Sequence, residues 1–215
     1  MEIRKRKFFK GRLFLAFFIS AFIFTCIFLI SYLVAYSNLV NAENSGKLIE
    51  SRLNQLNSFA TNNSQCDSDS FLKLSILLQE EGSRVSFLEK KLGKENKRVF
   101  AQKIFYSDLE IAHFLLAKRL NENCNTSFIP ILFFYSNEET LQDQSELMGY
   151  ILGQFKDENP TIVMVYSFDI TLNSSSINEL SNSSHVNLIP VIIGPKGEKL
   201  FISNIDSLSY LLNDD

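Results

Sequence analysis

The chain reads as an α/β protein with an N-terminal transmembrane helix, an antiparallel helical hairpin and a small domain of order β-α-β-(α)-β-β-α. Three observations lead there. A charge-free run from Leu13 to Ala42 follows a strongly basic start. Two long stretches of helical periodicity are separated only by residues 93–96. Beyond Ser127 the pattern changes to continuous apolar runs of strand length, alternating with helical segments.

Arg4, Lys5, Arg6, Lys7, Lys10 and Arg12 crowd residues 1–12, which read as a cytoplasmic basic tail. The stretch "LFLAFFISAFIFTCIFLISYLVAY", residues 13–36, reaches about 36 Å as a helix at about 1.5 Å per residue. That crosses a hydrocarbon core of about 30 Å. Basic residues before it and none directly after predict a single-pass anchor in the cell membrane, with the rest of the chain outside the cytoplasm. The rival is a cleaved signal peptide, for which "VNA" before Glu43 offers a small-residue site. Signal cores run roughly 7–15 apolar residues, and this run is longer. Cys26, in mid-span, reads as a small packing residue. A net charge of −3 gives no electrostatic case for a nucleic-acid partner. Four sequons, at Asn62, Asn125, Asn173 and Asn182, agree with an exterior location, although a chain this rich in Asn and Ser supplies such matches by chance.

Residues 43–124 read as a helical, coiled-coil-like hairpin region. Ile49, Leu53, Leu56 and Ala60 recur at spacings of four, three and four, one apolar helix stripe. "TNNSQCDSDS" breaks it with residues that favour caps over helix interiors. The next helix ends at Gly93, a residue suited to the position just past a helix end. The one after repeats apolar positions at Val99, Phe100, Ile104, Leu109, Ala112, Leu115 and Leu116. A turn this short suits an antiparallel pair. Cys66 precedes the first arm and Cys124 follows the second; their numbers average to 95, inside the turn, so equal arms bring both to one open end. Outside the cytoplasm such thiols usually form a disulfide. A structural bridge is the main reading, with a redox-active pair and two free thiols as rivals. Two cysteines without a neighbouring His or acid cluster give too few ligands for a metal, and no cofactor is expected. His113, inside the second arm, reads as a packing or surface residue.

The remaining residues, 127–215, form the α/β domain. "FIPILFFYS" is a strand buried on both faces. The helix behind it carries Leu141, Leu147, Met148, Ile151, Leu152 and Phe155 on a broad apolar face, and "PTIVMVYSFDI" is a second strand. Strand, helix and strand make a βαβ unit with parallel pairing. "SSINELSNSS" holds a short helix. "VNLIPVIIGPKGEKLFISNIDSLSYLLND" then gives a strand, a tight turn, a short antiparallel strand and a terminal helix from about Ile205.

This order, with "LIPVII" followed by "GPKGE", resembles the thioredoxin fold, and the helical region with flanking cysteines is similar to membrane-anchored thioredoxin-like proteins of prokaryotes. The resemblance implies a cis-proline at Pro190, preceded by Ile189, forming the wall of a peptide-receiving groove. It also implies Cys-x-x-Cys at the start of the helix after the first strand, where the helix end stabilises a thiolate. The matching window here is Leu141, Gln142, Asp143, Gln144 and Ser145, without sulfur, and thiol–disulfide exchange needs sulfur attacking sulfur. A lone serine with no readable His partner is a poor nucleophile. Glu139 and Asp143 read as first-turn acids favoured by the helix dipole.

No catalytic residue is therefore expected. The leading expectation is an anchored binding or scaffold module for peptides or envelope proteins, its helical hairpin serving as a spacer or partner surface and permitting homo-oligomerisation as a coiled coil. The alternative is a thiol–disulfide oxidoreductase or isomerase using Cys66 and Cys124. A third reading makes the helices the functional part, merely capped by the C-terminal domain.

Overall fold

The computed structural model describes residues 2–61, 66–93, 96–124, 126–200, 202 and 204–212, excluding the side chains of residues 2–10, 39, 42, 43, 45, 46, 52 and 55–61. The sequons at Asn62 and Asn125, the tail residues Arg4, Lys5, Arg6, Lys7 and Lys10, and the side chains of Leu56 and Ala60 lie outside the described set. The chain is mixed α/β and mostly helical, and it divides into two compact units, residues 1–41 and 42–215.

The first unit is helical, part of α1 (Glu2–Thr61). Its segment Gly11–Asn38 has 28 residues at a mean hydropathy of 2.8, long and apolar enough to cross a membrane. Thr25 donates its hydroxyl to the Ala21 carbonyl at 2.8 Å, so its one polar hydrogen is satisfied within the helix. Cys26 is a half-buried free thiol.

The second unit is built around a four-stranded sheet of order β2-β1-β3-β4: β1 (Ile129–Tyr135), β2 (Val163–Asp169), β3 (Val191–Ile193) and β4 (Lys199–Leu200). β1 and β2 run parallel, from Ile129 opposite Val163 to Tyr135 opposite Asp169. β3 is antiparallel to β1, with Val191 opposite Phe134, and β4 is antiparallel to β3. Gly197, at φ 83°, closes the β3–β4 turn in a conformation that glycine adopts without steric cost.

Helices cover both faces. On one face lies α4 (Glu139–Glu158), which packs Met148, Ile151, Leu152 and Phe155 against Ile131, Phe133, Val163 and Ile192. On the other lie α2 (Ser68–Leu92), α3 (Lys97–Cys124) and the short α5 (Ser175–Ser183), with Phe71, Leu74, Leu78, Leu109 and Phe114 meeting Leu132, Phe134, Met164, Tyr166 and Phe168. Ile49 and Leu53 join this second core. The hairpin shares a core with the sheet, so residues 42–215 cluster as one unit instead of dividing between 124 and 127. Ile49, Leu53, Leu109 and Leu116, among the apolar positions that suggested a spacer or coiled coil, pack in this core.

Local chemistry sets the helix ends. Asp67 caps α2 by accepting the Ser70 N–H at 2.9 Å; hydrogen bonding from the Ser70 side chain, and next from that N–H, holds its carboxyl below the usual range. Gly93, at φ 90°, ends α2 with its N–H on the Glu89 carbonyl. Asn96 accepts the Arg98 N–H at 3.0 Å at the start of α3.

Four expectations need correction. The strand expected from Val186 begins only at Val191, because Pro190 has no N–H to give a ladder and is confined to a strand's start. The terminal helix is a 3₁₀ segment, Ile205–Leu212; within it Ser209 bonds the carbonyl three residues back, and Ser207 does the same to Asn204, competing with α-type bonding. Leu147 is exposed on α4. On α3, Phe100, Ala112 and Leu115 are exposed, and the buried face runs instead through Leu109, Glu110, His113, Phe114 and Ala117.

Candidate functional site

The β1–α4 join is a hydrogen-bonded turn. The Ser136 hydroxyl accepts the Glu138 N–H at 3.1 Å, and the Ser136 carbonyl accepts the buried Ser145 hydroxyl at 3.1 Å. α4 accordingly begins at Glu139, so the window Leu141–Ser145 lies in its first and second turns, not at its tip. Glu139 is a first-turn acid; Asp143 lies beyond that turn, where the dipole effect has faded. Leu141 and Gln142 are half-buried, Asp143 and Gln144 exposed, and Gln142 donates to Glu146 at 2.8 Å.

The Ile189–Pro190 peptide bond is cis, and both residues are half-buried. Val191, next in the chain, pairs with Phe134, so the proline loop and the window both border the C-terminal end of β1. Leu188, just before, is 74% exposed.

Cys66 and Cys124 form a disulfide across the open end of the hairpin, with Cα atoms 5.6 Å apart and a sequence separation of 58.

A row of polar side chains between the hairpin and the sheet escaped the sequence reading. Lys103, Tyr106, Glu110 and His113 recur on α3 at spacings of three, four and three, which is one face of a helix. That spacing was the available signal, obscured because these residues interrupt an apolar stripe.

His113 is buried and stacks on Phe71 with ring centroids 4.2 Å apart. Its Nε2 lies 3.0 Å from the Ser75 hydroxyl and its Nδ1 2.8 Å from the Tyr166 hydroxyl. Serine, imidazole and a third orienting group have the order of a nucleophile relay. The chemistry is absent, however. Burial pushes His113 down to about 3, so the imidazolium that a base must become is disfavoured. The third group is a phenol, itself held neutral by burial, where a carboxylate would be needed.

Glu110 is the most perturbed acid. Burial raises it to about 8, against the weaker opposing pulls of the Ser167 N–H, Lys156 and Tyr106. Its Oε1 accepts the Ser167 N–H at 3.3 Å, while Oε2 has no hydrogen-bond partner among the described residues. Glu110, Tyr106, His113 and Lys156 line a cavity of about 30 Å³. Burial lowers Lys156 in turn, and the Glu110 charge opposes that shift.

A larger cleft, about 390 Å³, lies at the C-terminal ends of β1 and β2, where open α/β sheets commonly take ligands. Lys103 bridges Glu89 at 3.0 Å and buried Asp169 at 3.2 Å. Asp169 also accepts the Asn137 amide and the Thr171 N–H, so these bonds fasten α2 and α3 to the join. Phe100 and Glu138 complete the rim. Among the described residues no group of three or more His, Cys, Asp or Glu side chains is placed to hold a metal ion.

Compared with known protein families, curated proteins and solved structures, the chain finds no match in any of the three.

Proposed function

We propose that this chain is a membrane-anchored, extracytoplasmic binding module of thioredoxin-like fold that carries no redox chemistry. The observation that carries the reading is the join itself: from Ser136 to Ser145 there is no sulfur, and its serines are engaged in turn and helix-entry bonds. The element order, the parallel β1–β2 pair and the antiparallel β3–β4 pair support the fold assignment. The apolar segment Gly11–Asn38 supports the anchor. The disulfide at the hairpin's open end fits a structural bridge, which in the chain-entropy model stabilises by about 4 kcal/mol for a loop of this length. On this reading an extended peptide of an envelope protein docks beside Ile189 and Pro190, partly through backbone hydrogen bonds, with the Leu141–Ser145 window as the lip of the groove.

The test is selection of extended peptides from a random library on the full chain in lipid nanodiscs. The reading expects a consensus peptide whose affinity falls at least tenfold in Ile189→Asp. Failure to enrich any peptide, or enrichment indifferent to that substitution, contradicts it.

A further inference from the structure

β2 has one partner strand, β1, and so presents a free edge. Edge strands expose unpaired main-chain groups that native proteins cover in some way. Here the covering group is a side chain: the Ser167 N–H donates to Glu110 Oε1 at 3.3 Å, the bond that a neighbouring strand's carbonyl would otherwise accept. Glu110 reaches this edge from α3, and Lys156 reaches the same cavity from α4, while Ser75 and Gln79 of α2 close it. Glu110 is 4% exposed, and its second oxygen, Oε2, has no hydrogen-bond partner among the described residues. A buried carboxyl with a single main-chain donor is tolerable when protonated and costly when charged.

We propose that Glu110 is a protonation-controlled latch: its neutral carboxyl holds α3 against the edge of β2, and its ionisation releases that edge. The charged and titratable groups facing it are Tyr106 and His113 from α3, Lys156 from α4, Tyr135 from β1 and Tyr166 from β2; Glu81 of α2 faces Tyr106 and is paired with Arg84. Only Lys156 offers a positive charge, and no ion pair joins it to Glu110 among the described residues. The tyrosines are held neutral by burial.

The sign follows from linkage. A released Glu110 ionises near 4.5 and a latched one near 8. Release is then favoured about tenfold per pH unit within that span. His113 opposes this below 6.5, because a released imidazole takes up a proton that the buried one refuses. The clean window is pH 6.5 to 8, where release rises about tenfold, because the slope levels off as pH nears 8 and a released His113 still takes up protons near 6.5.

Amide hydrogen exchange on the full chain in nanodiscs, corrected for the intrinsic pH dependence of exchange, reads this directly. The Ser167 amide is expected to lose protection about tenfold across that window, while residues 131–134 and 191–193 keep theirs. Glu110→Gln is expected to make Ser167 protection independent of pH. Lys156→Met, which removes a positive charge favouring the ionised form, is expected to carry the loss of protection beyond pH 8. Ser167 protection that is flat in the parent chain, or that falls equally in Glu110→Gln, overturns the latch. So does an equal loss throughout residues 42–215, which would mark global unfolding instead.

Discussion

Glu110 and His113 lie one helical turn apart, and burial moves them in opposite directions because one is charged when it loses a proton and the other when it gains one. Each gives the folded state its own pH dependence. Glu110 is raised from 4.5 to about 8, so its contribution is full below 4.5 and is lost as pH rises toward 8. His113 is lowered from 6.5 to about 3, so its contribution is full above 6.5 and is lost as pH falls toward 3. Between 4.5 and 6.5 the two slopes cancel. Unfolding free energies measured against pH are therefore expected to show a plateau over that range and a fall of about 1 kcal/mol from pH 6.5 to 8, the full slope of about 1.4 kcal/mol per unit being approached only between those values. Glu110→Gln should abolish the alkaline limb and leave the acid one. These two residues also mark a limit of legibility. His113 reads from sequence as either packed or exposed and Glu110 gives no signal of burial; only their partners, Phe71 and Tyr166 for one and the Ser167 N–H at the sheet edge for the other, explain it.

Elements were easier to read than their edges. The β1 run was legible because both its faces are covered, which makes its sequence continuously apolar. The α2–α3 pair was legible from the cap-favouring stretch before it and from Gly93 behind its first arm; the structure places Asp67 and Asn96 as the capping acceptors. Asp67→Ala removes the acceptor for the Ser70 N–H and is expected to lower stability by about 1 kcal/mol, measured by chemical denaturation. The beginning of β3 and the character of the last helix were not legible, since both depend on which backbone groups find partners. Pro190 contributes no donor, and the serines near the end bond the backbone locally. The cysteine pairing was accessible from arithmetic on the hairpin, because equal antiparallel arms leave little freedom at their open end.

At the scale of the whole molecule, the hairpin and the sheet form one folded body instead of a spacer followed by a domain. Periodicity reports that a helix has an apolar face but not what that face meets, which is why a coiled coil and a sheet layer look alike in sequence. The candidate site was legible mainly as an absence of sulfur after β1. The cleft at Lys103 and Asp169, and the latch at Glu110, arise from contacts 57 residues or more apart in the chain. The account rests on the claim that this scaffold recognises without transferring electrons. The most direct test is insulin reduction and model-dithiol oxidation by the full chain in nanodiscs, beside a variant with Cys26, Cys66 and Cys124 all replaced by serine. Equal rates in the two are predicted; a parent chain well above the cysteine-free variant would contradict the account.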